Sequence, residues 1–146
     1  MAYPNNNYQK RPFSGNRDYP RQAEEPVPDF PEDYVDFAEN LMKTRSRQIT
    51  TSKLRNILSL LMDVYNTEIL RTEAELMEES KVKLQMARIR IAYECGRDRN
   101  TKEFVEGAHL LPWLKAVGSS REQAIRYIHF LEAIVAYHRF WGGREN

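Results

Sequence analysis

The residues best suited to acid–base or metal chemistry are three histidines, His109, His129 and His138. His129 and His138 are nine residues apart, whereas side chains that share a helix face are three or four residues apart. The sequence also has no glycine-rich phosphate loop, H-E-x-x-H pair or serine elbow. We therefore predict no catalytic residue, no cofactor and no bound metal. A metal-dependent enzyme that assembles these histidines across helices ranks third among the hypotheses.

Basic residues recur at spacings that would align them on one helix. Lys83, Arg90 and Arg97 are spaced seven residues apart, so on a helix they would form a single stripe about 21 Å long. That length matches several phosphates of an RNA backbone rather than one small anion. The alternative is that these side chains pair with the acidic stretch just before them, or simply keep the helix soluble.

Four further cations lie near two predicted helix starts. A cation is locally unfavourable at a helix N-terminus, where unpaired amides favour anions, so its presence at two helix starts suggests an anionic ligand. The alternative is that the two placements are coincidental. The predicted RNA-binding residues are Lys53, Arg55, Lys83, Arg90, Arg97, Arg121 and Arg126.

The elements that must position these side chains are all predicted to be helices. Apolar residues follow the helical period in five segments, and no segment alternates like a strand. Thr50, Thr51 and Ser52 are the candidate N-caps of the second helix, and Asn100 and Ser119 are the expected N-caps of the fourth and fifth. Pro112 is expected to interrupt or kink the fourth. The predicted helices cover residues 29–45, 50–69, 81–96, 100–118 and 119–141. The fold class is therefore all-α, a compact bundle of about five helices.

Two regions are predicted from composition. Residues 1–28 are polar and rich in Pro, Tyr and Arg, so we expect a flexible, disordered tail, whose role is either RNA stacking or none. Residues 29–143 would form the helical domain. The single cysteine, Cys95, excludes an internal disulfide and favours the cytoplasm, as does the lack of an apolar secretion or membrane-spanning segment.

Near the C-terminus, an aromatic stripe is spaced for one helix face. It is formed by Tyr127, Phe130, Ile134, Tyr137 and Trp141. Such a stripe is more often core or subunit interface than a platform for stacking bases, and we predict the former.

Three strings of the sequence resemble a known family. ITTSKLR at 49–55, RIAYECGR at 90–97 and FLEAIVAYHRF at 130–140 are similar to the small subunit of the type III-A CRISPR (Csm) effector complex, and the resemblance extends over about residues 30–143. It implies a non-catalytic helical protein that self-associates along a filament of backbone subunits and faces CRISPR RNA paired with target RNA. Carried onto this sequence, it favours Lys53, Arg55, Arg90 and Arg97 as backbone contacts.

A competing hypothesis remains open beside this resemblance. A helical protein-interaction module, for instance a dimer formed through the aromatic stripe, would need no nucleic acid, and its basic residues would serve solubility. Co-purification with CRISPR RNA and companion subunits would distinguish the two.

Overall fold

The computed structural model describes residues 26–145, and these form helices joined by short connections, with no β-strand in that range. The predicted all-α class is confirmed. Residues 1–25, which make up most of the predicted tail, lie outside the described residues. The helices are α1 (Tyr34–Arg45), α2 (Thr51–Glu68), α3 (Glu78–Arg97), α4 (Arg99–Gly107), α5 (Leu110–Val117) and α6 (Arg121–Phe140).

The four longer helices build the bundle, and α4 and α5 close one side of it. α2 packs between α3 and α6, α1 packs along α6, and the two short helices rest against α3 and α6. α1 and α6 run in the same direction, because Tyr34 lies beside His129 and Ser46 lies beside Trp141. Consequently the last turns of α1, α3 and α6 come to the same end of the bundle as the first turn of α2.

The core is apolar and rich in aromatic rings. Trp113 stacks edge-on against Phe30, Phe37 and Phe130 at centroid distances of 5.3–5.5 Å. The buried hydroxyl of Tyr127 donates to the Leu110 carbonyl at 2.8 Å, which satisfies its only polar atom. Of the predicted aromatic stripe, Tyr127, Phe130 and Ile134 are buried as expected, Tyr137 is half-buried, and Trp141 is 40% exposed.

The first helix begins five residues later than predicted. Residues 29–33 were expected to open it, but α1 starts at Tyr34. The preceding residues are held by their contacts instead: Phe30 enters the aromatic core, and the Pro28 carbonyl accepts from the indole Nε1 of Trp113 at 2.8 Å.

The fourth predicted helix is in fact two helices, and the break is not at Pro112. His109 adopts a left-handed conformation with φ 54°, which ends α4 and redirects the chain into α5. Pro112 is the third residue of α5, where a helix needs no backbone donor, so it is tolerated without a kink.

Two of the predicted N-caps are displaced. Of the three candidates for the cap of α2, Thr50 holds the position and accepts from the Lys53 amide at 3.3 Å. The cap of α4 is Asp98 rather than Asn100, and the cap of α6 is Ser120 rather than Ser119.

Candidate nucleic-acid interface

Each of the three histidines contacts other side chains or backbone groups of the bundle. His138 is fully buried, with Nε2 2.7 Å from the Ile49 carbonyl and Nδ1 3.3 Å from the Thr51 hydroxyl. His129 lies against Tyr65 and the Tyr34 hydroxyl, and His109 packs on Trp113. Among residues 26–145, no cluster of three or more His, Cys, Asp or Glu side chains is placed to hold a metal ion.

Lys53 joins two helices instead of pointing alone into solvent. Its ammonium lies 2.5 Å from the Asp98 carboxylate and 3.1 Å from the Thr101 hydroxyl. The hydrogen bond from Lys53 is the main cause that lowers the pKa of Asp98 below its ordinary value. This pair ties the first turn of α2 to the α3–α4 junction, so part of the Lys53 charge is already neutralised.

The first amides of α2 are not available to phosphate, contrary to expectation. The Thr51 amide donates to the Arg144 carbonyl at 2.8 Å, and the Ser52 amide donates to the Glu145 carbonyl at 3.3 Å. The chain's own C-terminal segment therefore caps this helix. Arg55 is exposed in the next turn and lines a small cleft together with Arg139 and the Glu145 carboxylate, which itself pairs with Arg139.

The predicted stripe on α3 exists, but its three cations differ in their partners. Lys83 pairs with Glu79 at 3.3 Å, and Arg90 pairs with the buried carboxylate of Glu94 at 3.3 Å. The guanidinium of Arg97 lies over the Tyr93 ring, 5.5 Å from its centroid, and within residues 26–145 no carboxylate forms an ion pair with it. Only the C-terminal end of the stripe thus presents an uncompensated charge.

Arg121 and Arg126 lie away from the other predicted cations. The Nε of Arg121 donates to the Glu68 carbonyl at 2.7 Å. The charge of Arg121 is unfavourable at the N-terminus of α6, but it caps the C-terminus of α2, where the helix dipole favours a cation. Arg126 lies over the Phe30 ring at 5.5 Å. The unfavourable placement that indicated an anionic ligand is explained, for Arg121, by a contact within the bundle.

Basic residues from four parts of the chain converge at one end of the bundle. The Lys53–Asp98 pair and the Thr51–Arg144 hydrogen bond bring the start of α2, the α3–α4 junction and the end of α6 together. We call this region the basic end. Its cations are Lys43, Arg45, Arg47, Lys53, Arg55, Arg97, Arg99, Lys102, Arg139 and Arg144, and the carboxylates among them are Asp98, Glu103, Glu106 and Glu145.

The opposite end of the bundle has the opposite charge. There the α2–α3 connection meets the α5–α6 turn through the Leu76 amide, which donates to the Ser119 carbonyl at 2.9 Å. We call this region the acidic end. Its carboxylates are Glu68, Glu73, Glu75, Glu78, Glu79 and Glu122, and its cations are Arg71, Lys81 and Arg121.

The sequence-based residue set therefore divides in space. Lys53, Arg55 and Arg97 meet at the basic end, Lys83 and Arg90 extend from it along α3, and Arg121 and Arg126 do not join it. Sequence reasoning missed Lys43, Arg45, Arg47, Arg99, Lys102, Arg139 and Arg144, because these cations lie on separate segments that meet only after folding. The available signal was that basic residues cluster at the end of α1, at the α3–α4 junction and after α6.

These features define a small all-α protein whose charge is separated along the helix axes. Its described helices include none that is both long enough and apolar enough to cross a lipid bilayer.

The comparisons with known proteins identify the family. The Csm2 Type III-A family model matches residues 29–144. The CRISPR system Cms protein Csm2 of Mycobacterium tuberculosis (strain CDC 1551 / Oshkosh) is 33% identical over 113 residues, which covers 75% of this chain and 91% of that protein. The proteins of the same name from Streptococcus thermophilus and Enterococcus italicus are 32% and 30% identical, covering 78% and 64% of this chain and 95% and 68% of their own lengths. The chain belongs to the Csm2 family of type III-A.

Proposed function

We propose that this chain is the non-catalytic small subunit of a cytoplasmic type III-A CRISPR RNA-guided effector complex in antiviral defence. In that role it contacts the backbone of the guide RNA and target RNA and assembles with the backbone and other subunits of the Csm complex. Family membership supports the place in the complex, and the charge distribution supports the contact with RNA.

Exposed cations from four chain segments meet at the basic end, and this convergence is the observation that best supports RNA binding. Arg55 and Arg97 are exposed, and Arg99, whose side chain is 92% exposed, shares only a 3.4 Å pair with Glu103. A surface pair of that kind contributes little, so a phosphate can replace it. Rigid helix ends hold these side chains in a fixed array.

Such an array recognises a polyanion without reading its sequence. Guanidinium and ammonium groups that contact phosphates fix position and carry no base information, and in a guided complex the pairing between guide and target supplies the sequence. One copy offers few contacts, but several copies along one RNA act together through their effective concentration. We expect the isolated subunit to bind RNA weakly and the assembled complex to bind it strongly.

The proposed RNA contact depends less on the predicted residues Lys83, Arg90, Arg121 and Arg126. Lys83 and Arg90 extend the basic end along α3, where a phosphate would compete with Glu79 and Glu94 for them. Arg121 and Arg126 stay predictions made from sequence, because their present contacts, to the Glu68 carbonyl and the Phe30 ring, stabilise the fold.

The Arg55→Ala, Arg97→Ala double variant tests RNA binding. In the reconstituted complex we expect target-RNA affinity to fall about tenfold or more at physiological salt. The slope of log K against log salt should become shallower by about one for each phosphate that the variant no longer neutralises. Filter binding across a salt series measures both quantities.

The Lys81→Ala variant is the matched control for that experiment. Lys81 is a cation at the acidic end, where it pairs with Glu75 and Glu78, and its removal should leave the salt slope unchanged. If the double variant bound target RNA with wild-type affinity and slope, the basic end would not be the RNA surface.

We also propose that copies associate head to tail along the filament. The acidic end of one copy faces the α1 side of the next copy's basic end, which carries Lys43 and Arg47, and this leaves Arg55 and Arg97 to the RNA. A heterologous contact of this kind can extend as an open filament. Sedimentation velocity should show association of the purified chain that weakens between about 50 mM and 500 mM salt, since exposed charges are screened. A monomer at both salt concentrations, or association that is indifferent to salt, would contradict this mode of assembly.

A further inference from the structure

One face of α3 carries large apolar side chains that are exposed. Val82, Met86, Ile89 and Tyr93 are 60%, 53%, 62% and 56% exposed. They recur every three or four residues, so they form one row about 16 Å long. Single exposed apolar side chains are ordinary, but a continuous row on a folded helix marks an interaction surface. We call this row the outer face of α3.

The outer face of α3 is not the side of the helix that packs into the core. The core side of the same helix is complete, since Leu84, Ala87 and Ile91 are buried with exposures of 5%, 0% and 0%. At 100° per residue these positions lie on the opposite side of the helix from Met86 and Ile89. α3 therefore has two apolar sides, and the bundle covers one of them.

An open groove runs beside the outer face. Its volume is about 1570 Å³, and Ile89 and Ala92 of α3 line it together with Val105, Leu111 and Pro112 across from them. The apolar surface consequently continues from the helix row into a concave floor. A groove of this shape suits an amphipathic helix, which places its apolar side into such a surface.

Basic side chains border this apolar surface on both sides. Lys83, Arg90 and Arg97 follow one edge of the row, and Arg88 and Lys115 line the groove on the other. A partner that covers the surface buries less uncompensated charge when carboxylates face these cations. Among the described residues that line the groove, Glu106 is the single carboxylate, against Arg88 and Lys115, and at the other edge Glu79 pairs with Lys83. The surface therefore stays net positive.

We propose that the outer face of α3 binds an amphipathic helix of a different protein chain, with an apolar side flanked by aspartate and glutamate residues. This deepens the proposed function, because it rests on membership in a complex with other subunits. The contact is centred on Val82, Met86 and Ile89, which offer no ring on which a base can stack. Tyr93, whose ring packs against Arg97, is where the outer face borders the basic end.

Charge argues against the occupants that this chain could itself supply. Residues 1–25 carry four cations, Lys10, Arg11, Arg17 and Arg21, against three carboxylates, Asp18, Glu24 and Glu25, so this segment has no excess of negative charge to set against the cations of the surface. An antiparallel α3–α3 contact between two copies would bring Arg90 close to Lys83 of the second copy. Within residues 26–145, no other helix exposes an apolar row of similar length.

Photo-cross-linking in the assembled Csm complex identifies the occupant. Benzoylphenylalanine in place of Ile89 should cross-link to a segment of another protein subunit that combines apolar residues with Asp or Glu. The same probe in place of Val35, an exposed apolar residue on α1, should not give that product. Mass spectrometry of the cross-linked peptides reads the result. A product with RNA, with residues 1–25 or with a second copy of the chain, or no product at all, overturns the proposal.

A competition experiment tests whether the surface contributes to assembly. When wild-type chain and a Met86→Ser, Ile89→Ser variant compete for incorporation into the complex, we expect the variant to be depleted about tenfold or more. A Val35→Ser variant should incorporate at parity. Met86, Ile89 and Val35 are all exposed, and thermal unfolding of each free variant checks that its fold is intact. Equal incorporation of the double variant overturns the proposal. The proposed RNA contact is judged separately, by the salt slope of the Arg55→Ala, Arg97→Ala complex.

Discussion

Replacing Glu68 with alanine is expected to destabilise the bundle by about 2–3 kcal/mol, because it removes a buried carboxylate together with the charge-assisted hydrogen bonds that it accepts. The Glu68 side chain has no exposed surface, pairs with Arg71 at 2.7 Å and accepts from the Met77 amide at 3.0 Å. Its removal leaves the Met77 amide without this acceptor, while Arg71, whose side chain is 23% exposed, keeps Glu73 and the Glu75 carbonyl. Thermal unfolding followed by circular dichroism should show a midpoint about 10 °C or more below that of the wild type.

The matched control is Glu78→Ala, because Glu78 also pairs with a cation three residues away but its side chain is 88% exposed. That variant should unfold at nearly the wild-type temperature. If Glu68→Ala behaved like Glu78→Ala, the buried carboxylate would not hold the α2–α3 connection in place.

The stability contributed by Glu68 should depend on pH in a defined direction. Burial alone would raise the pKa of this carboxyl group, but hydrogen bonds from Ser80, the Met77 amide and Arg71 outweigh it and lower the pKa below the ordinary 4.5. The contribution is therefore complete above about pH 4.5 and is lost as the pH falls through the folded-state pKa. In Glu68→Gln, this part of the acid destabilisation should be missing from a series of urea unfolding curves.

Replacing Trp113 with alanine is expected to cost about 3–5 kcal/mol, because it removes the largest side chain of the aromatic core and leaves a cavity. The indole is 4% exposed and contacts Phe30, Phe37 and Phe130. It also donates to the Pro28 carbonyl, so its removal should release the segment before α1. Urea unfolding gives the free energy, and proteolysis near residue 28 reports the release.

The second of the two tryptophans supplies the control. Trp141 is 40% exposed at the end of α6, and Trp141→Ala should change the free energy of unfolding by less than about 1 kcal/mol. In that variant Trp113 is the remaining tryptophan, so the indole emission should stay blue-shifted until the bundle unfolds. Equal destabilisation by the two replacements would contradict the assignment of Trp113 to the core.

Helical periodicity was sufficient to predict the fold class but not the positions at which the helices break. The apolar spacing within α2 and α6 predicted long helices, and the hydroxyls of Thr50, Thr51 and Ser52 correctly located the start of α2, because these signals are local. Pro112 was expected to interrupt a helix, yet a proline in the first turn does no harm. The break is made by His109 in a left-handed conformation, which is uncommon for a residue other than glycine and is not visible in the sequence pattern.

The candidate site depended on contacts between distant residues, which periodicity does not report. Lys53 and Asp98 are separated by 45 positions and meet only after folding. The carboxylate of Glu94 is buried next to Arg90, although the sequence alone places both on a solvated helix. For the same reason the sequence could not show that Arg121, a predicted RNA contact, donates to the Glu68 carbonyl at the end of α2.

Charge separation along the helix axes also affects how the molecule meets a partner during diffusion. A bundle that is positive at one extremity and negative at the other has a permanent dipole moment, so the field of a polyanion rotates it before contact and favours approach by the basic end. Added salt shortens the range of that field to about 10 Å or less at 0.1 M and above. Rising ionic strength should therefore slow the rate of encounter, in addition to shortening the lifetime of the complex formed.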